Sequence, residues 1–120
     1  MNATIVHKIN VKSGVLDALA RELPGIISDA LELPGGKLAI LKPEQVALEF
    51  SQASPRDTGS DIKIMIFARN LILRSSNDKE LAKEILEKVV LLATGPGEEY
   101  SIDVRLYLIE IGAAEHILSK

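Results

Sequence analysis

The sequence predicts an α+β fold in which a β-α-β unit occurs twice, giving a four-stranded sheet with two helices on one face. Three observations support this architecture. Segments that alternate between apolar and polar residues are typical of strands, and longer segments with apolar residues at helical spacing separate them. The order strand, helix, strand then occurs twice within 120 residues. This length predicts a single domain, 1–120, with pseudo-repeats at about 1–59 and 60–120.

The first strand is predicted over Ala3–Ile9, where Ile5, His7 and Ile9 share one face. A helix should follow from Val15, since the next apolar residues recur at helical spacing: Leu16, Leu19, Ala20, Leu23, Ile27, Ala30 and Leu31. Pro24 lies inside this pattern, but the apolar spacing continues through it, so we expect one kinked helix. Pro34-Gly35-Gly36 is a typical helix stop.

The second strand is indicated by Val46, Leu48 and Phe50, which alternate with less apolar residues. The preceding segment Lys37–Leu41 could be a turn or a small strand. The polar segment Ser51–Ser60 should be a loop, because it contains both proline and glycine.

The second unit begins with the most apolar strand, Ile62–Ala68, which we expect in the sheet interior. Asn77 with Glu80 three residues later resembles a capping box, so helix two should begin there. The predicted buried stripe of that helix is Leu81, Ile85, Val89 and Leu92. The helix should end at Thr94-Gly95-Pro96-Gly97, and Tyr100–Ile111 should form the fourth strand.

The two halves resemble internal repeats. A spacing of 58 residues carries Val46, Leu48 and Phe50 onto Val104, Leu106 and Leu108, and Thr4 and Val6 onto Ile62 and Ile64. With both helices on one face of the sheet, apolar residues on the other face would be exposed in a monomer. We therefore expect oligomerisation through the packing of sheets.

Composition excludes several function classes. The net charge is −3, with 14 basic and 17 acidic residues interspersed, and the aromatic residues are only Phe50, Phe67, Tyr100 and Tyr107. Nucleic acid is therefore not an expected partner. The chain has no cysteine, no apolar run long enough to span a membrane and no signal peptide pattern, so we expect a soluble, cytoplasmic protein.

No cofactor or metal site is predicted. His7 has no second ligand at metal-binding spacing, and His116 is expected at the surface. The glycines occur in turns and helix stops, not in a phosphate-binding loop.

Three short segments carry a family resemblance that extends over nearly the whole chain. Arg74-Ser75, followed by polar residues and a helix, resembles the Gly-Arg-Ser junction of the tautomerase superfamily. Met65–Arg74 is similar to the region that carries active-site arginines in malonate semialdehyde decarboxylase and 5-carboxymethyl-2-hydroxymuconate isomerase. Pro43–Phe50 resembles the proline-led second strand of the superfamily, macrophage migration inhibitory factor included.

The resemblance implies a homotrimer whose sheets face inward, and a site built around the N-terminal amine. In the family this amine belongs to a proline, whereas here Asn2 follows Met1, so the amine should be the primary amine of a retained Met1. A primary amine can take a proton or form a Schiff base. By the same resemblance, Arg74, Arg69 and Asn2 are expected to bind a carboxylate.

The implied function is that of an isomerase or lyase acting on a small 2-oxo or enol carboxylate without cofactor or metal. A second hypothesis is a catalytically silent scaffold that keeps the fold for ligand binding or protein interaction, since the catalytic proline is missing. A third is a ferredoxin-like regulatory module, because unrelated folds share this order of elements.

Overall fold

The computed structural model describes residues 1–32, 42–71, 74, 76–94 and 99–118. The elements follow in this order: β1 (Asn2–His7), α1 (Ser13–Leu31), a 3-10 turn (Pro43–Gln45), β2 (Ala47–Gln52), β3 (Ile62–Arg69), α2 (Asp78–Ala93) and β4 (Ile102–Ile109). The predicted β-α-β order therefore occurs twice. The predictions for Pro34-Gly35-Gly36, for 37–41 and for Gly95-Pro96-Gly97 concern residues outside the described ranges.

The four strands form one mixed sheet in the order β2-β1-β3-β4. β1 runs parallel to β2, β3 runs parallel to β4, and the two central strands β1 and β3 are antiparallel. Each parallel pair is joined through a helix, because parallel neighbours need a crossover connection. β3 lies in the sheet interior, as its apolar sequence predicts.

The hydrophobic core lies between one face of this sheet and both helices. Ile5 of β1 and Ile64 of β3 are fully buried there, with Leu19 of α1 and Val89 of α2. The other buried members of the same cluster are Ala3, Val11, Val15, Leu23, Ile27, Ala30, Leu31, Val46, Ile62, Ile66, Ala68, Ile85 and Ala93. The prediction of two helices on one face of a four-stranded sheet is confirmed.

The first helix runs without a break through Pro24, as the apolar spacing predicts. Its last turn closes with the backbone N–H of Glu32 donating to the carbonyl of Ser28, at 3.0 Å. No helix in the described part of the chain combines the length and apolarity needed to cross a membrane.

The second helix begins at the predicted place but without the predicted cap. Asn77 occupies the N-cap position, and its carbonyl accepts the N–H of Leu81 at 2.9 Å. Its side chain makes no capping hydrogen bond, so the capping-box prediction is wrong. Asp78 and Glu80 lie in the first turn instead, where the positive end of the helix dipole stabilises acidic side chains.

The two β-α-β units are not superposed by one constant spacing. Thr4 and Val6 are partly exposed on the sheet face without helices, whereas Ile62 and Ile64 are fully buried on the other face. Successive side chains of a strand point to opposite faces. Even-numbered residues face away from the helices in β1 but toward them in β3, so a shift by an even number of residues pairs positions on opposite faces. The spacing of 58 residues thus holds for the outer strands and fails for the central ones.

Candidate functional site

The N-terminus lies at the end of the sheet where β3 finishes. Asn2 is paired with Phe67 across the antiparallel β1–β3 ladder, so Met1 and Arg69 are at the same end. The carbonyl of Met1 accepts the N–H of Ala47 at 3.0 Å, and the half-buried Met1 side chain packs against the core. The start of the chain is therefore held beside β2 by a backbone bond as well as by packing.

Arg69 is the last residue of β3, and its side chain is exposed. It is paired with Ile109 of β4, and alternation along β3 places it on the helix-free face with Met65 and Phe67. This face is called the open face below. An exposed guanidinium at a strand end is able to receive a carboxylate from solvent through two parallel hydrogen bonds.

Arg74 lies behind this end of the sheet and is only 4% exposed. Its Nε donates to the carbonyl of Leu31 at 3.1 Å, and its Nη1 donates to the carbonyl of Arg69 at 3.2 Å. Burial lowers the pKa of the Arg74 guanidinium, and the positive charge of Arg69 lowers it further. The structure therefore brings the two predicted arginines together and gives Arg74 two backbone partners.

Asn2, the other predicted binding residue, is exposed on the open face. It lies in one row across the sheet with Ala47, Phe67 and Tyr107. The rings of Phe67 and Tyr107 are stacked, with their centroids 5.0 Å apart. The sequence pattern does not single out Tyr107 as a candidate residue. The alternation of β4 places it on the open face, but only the β3–β4 register places it beside Phe67.

Of the two histidines, His7 lies at the opposite end of the sheet, where it pairs with Ile62. The Nδ1 of His7 is 3.2 Å from the carbonyl oxygen of Lys8, and His116 is exposed after β4. Among the residues that the structure describes, no three histidine, aspartate or glutamate side chains are grouped closely enough to hold a metal ion.

A polar link that the sequence pattern does not predict lies at the opposite end of the sheet. The Asp61 carboxylate accepts the backbone N–H of Ser101 at 2.9 Å and its hydroxyl at 3.2 Å. The Asp61 N–H donates to the Ser101 hydroxyl at 2.9 Å. These bonds lower the pKa of Asp61, with the backbone N–H of Ser101 as the largest cause and the Lys8 charge assisting. The link joins the starts of β3 and β4.

At the level of sequence, no protein-family model and no curated protein matches this chain. Its structure is similar to that of a fused 4-OT that forms a symmetric trimer, with a TM-score of 0.65 and 10% identity over 98% of this chain and 94% of that chain. It is also similar to malonate semialdehyde decarboxylase, with a TM-score of 0.59 and 13% identity over 100% of this chain and 92% of the other.

A third similar structure is N1, a member of the cis-3-chloroacrylic acid dehalogenase family. Its TM-score is 0.62, with 14% identity over 91% of this chain and 75% of that chain. At identities this low the three likenesses establish a shared fold, and the chemistry must be argued from the residues of this chain.

Proposed function

We propose that this chain, which has the fold of the tautomerase superfamily, is an isomerase or lyase acting on a small 2-oxo or enol carboxylate. The observation that supports this most is that Met1, Arg69 and Arg74 lie at the same end of the sheet. A basic amine and cationic groups are the two components that proton transfer next to a carboxylate requires.

The proton is moved in this proposal by the terminal amine of Met1. Arg69 binds the substrate carboxylate, because its guanidinium is exposed. Arg74 contributes a second positive charge beneath Arg69, which favours the negative charge that develops on an enolate oxygen. The side-chain amide of Asn2 lies on the exposed face beside Phe67 and is the candidate donor to a substrate oxygen.

The test is ketonisation of phenylenolpyruvate and 2-hydroxymuconate, followed by ultraviolet absorbance. We expect turnover above buffer by the unmodified protein and none after acetylation of the terminal amine. Replacing Arg69 with alanine should lower kcat/KM about 10- to 100-fold, which corresponds to the roughly 1.5–3 kcal/mol of a hydrogen bond to a charged group.

Arg56→Ala is the matched control. Arg56 is exposed in the turn after β2, at the opposite end of the sheet, where its N–H donates to the Ser54 hydroxyl. Its removal should leave kcat/KM unchanged. Turnover that survives acetylation, or that Arg69→Ala leaves intact, would contradict the mechanism. Carboxylate binding without turnover would support the silent scaffold instead.

We also propose that the protein is a homotrimer whose open faces pack together, with Arg69 and Asn2 left accessible at the end of each sheet. The open face carries the stacked Phe67 and Tyr107, and Ile109 at the end of β4 is 41% exposed. An exposed apolar surface of this kind is typical of an interface. The similar fused 4-OT forms a symmetric trimer, which supports three copies.

A further inference from the structure

The buried guanidinium of Arg74 connects two elements that are distant in sequence. Leu31, which accepts from Nε, is the last residue of α1, and Arg69, which accepts from Nη1, is the last residue of β3. The carbonyls of a helix's last turn have no partners within the helix, so they need donors from elsewhere. The final turn of α1 contains no basic residue of its own. Arg74, 43 residues further along the chain than Leu31, supplies both the donor and the positive charge.

This geometry gives the two arginines different electrostatic roles. The charge of Arg74 lies against the negative end of the α1 dipole and is 4% exposed, so part of its field is compensated within the protein. Arg69 is exposed, and the Arg74 side chain holds the Arg69 carbonyl in place. An incoming carboxylate therefore meets Arg69 first, on a backbone whose position depends on Arg74.

We propose that Arg74 is a positioning residue: it fixes the end of β3 against the end of α1, and it aids carboxylate binding through Arg69 without touching the ligand. The part about the ligand rests on the proposed function, whereas the connection between α1 and β3 does not. Lysine at position 74 would keep the charge, but a single ammonium group cannot reproduce two donors in the fixed geometry of a guanidinium.

A double-mutant cycle tests the indirect role, with phenylpyruvate as the carboxylate probe and calorimetry as the readout. Arg74→Lys alone should raise the dissociation constant about tenfold, an effect of the size expected for one lost charged hydrogen bond. In the Arg69→Ala background the same change should raise it less than about twofold, because its effect passes through Arg69. A full tenfold effect in that background would overturn the proposal in favour of direct contact.

Hydrogen exchange tests the connection without any ligand. Arg74→Gln should speed amide exchange of Glu32, which closes the last turn of α1, and of Asn70, whose N–H donates to the carbonyl of Ile109 next to the end of β3. Arg56→Gln should leave both amides unchanged, and Arg74→Lys should give an intermediate effect. Unchanged exchange at Glu32 and Asn70 in Arg74→Gln would overturn the connection. Failure of the unmodified protein to bind phenylpyruvate would instead refute the carboxylate site. Amide hydrogen exchange would still test whether Arg74 links the end of α1 to the end of β3.

Discussion

Asp61→Asn should destabilise the protein in a way that depends on pH. The carboxylate of Asp61, whose side chain is 23% exposed, accepts two hydrogen bonds from Ser101 and lies 4.0 Å from the Lys8 ammonium. Hydrogen bonds to charged groups contribute roughly 1.5–3 kcal/mol, and asparagine keeps one acceptor oxygen without the charge. Partial exposure places the expected loss at about 1 kcal/mol at pH 7, or roughly 3–5 °C in Tm for a domain of this size.

The sign of the pH dependence follows from the lowered pKa of Asp61 in the folded state. The pKa of this carboxyl in the unfolded chain is about 3.9, so the stabilisation is fully present above that pH. It is lost as pH falls from there through the lower pKa of the folded state. The difference between the unmodified protein and Asp61→Asn should therefore be constant near pH 7 and shrink progressively below about pH 4.

The assay is urea unfolding followed by circular dichroism at pH 7, 5 and 3, at one protein concentration throughout. Asp17→Asn, an exposed position on α1, is the matched control and should change the unfolding free energy by less than about 0.5 kcal/mol. An Asp61→Asn difference as large at pH 3 as at pH 7 would refute the role assigned to the charge. No difference at pH 7 would refute the contribution of the link itself.

Two further predictions concern the core and the open face. Ile64→Ala should lower the unfolding free energy by about 2–5 kcal/mol in urea titration, because Ile64 is 0% exposed. Ile9→Ala, at a position that is 80% exposed, should lower it by less than about 0.5 kcal/mol. Equal losses would contradict the assigned core. Tyr107→Glu should convert the proposed trimer to monomer in analytical ultracentrifugation, whereas Leu91→Glu on the exposed face of α2, where the side chain is 79% exposed, should not. A trimer that survives Tyr107→Glu would place the interface elsewhere.

The elements themselves could be predicted from local sequence patterns. Alternation placed β3 and assigned Ile62, Ile64, Ile66 and Ala68 to its buried face, because side chains along a strand point to opposite faces in turn. Helical spacing predicted that α1 continues through Pro24, because the apolar residues before and after the proline lie on the same face of the helix. Both patterns can be read from neighbouring residues, and they hold in the structure because the apolar face of each element packs against the same core.

The caps and contacts of particular side chains could not be predicted in this way. Asn77 has the residue type and spacing of a capping box, yet its side chain does not make the capping bond. The bonds of Asp61 with Ser101 depend on the β3–β4 register, which brings together residues 40 positions apart. A side chain with several possible partners takes the one that the assembled fold places within reach.

The candidate site, too, could be predicted from local patterns only in part. The sequence alone determined that a strand rich in isoleucine ends near two arginines and that the chain begins with Met1-Asn2 at the head of another strand. Only the tertiary structure decided that these ends meet, through the antiparallel pairing of Asn2 with Phe67, and that Arg74 is buried against two carbonyls while Arg69 is exposed. The physical reason is that periodicity specifies which face of an element is apolar. Strand order and helix docking determine which polar groups come close enough to form hydrogen bonds with one another.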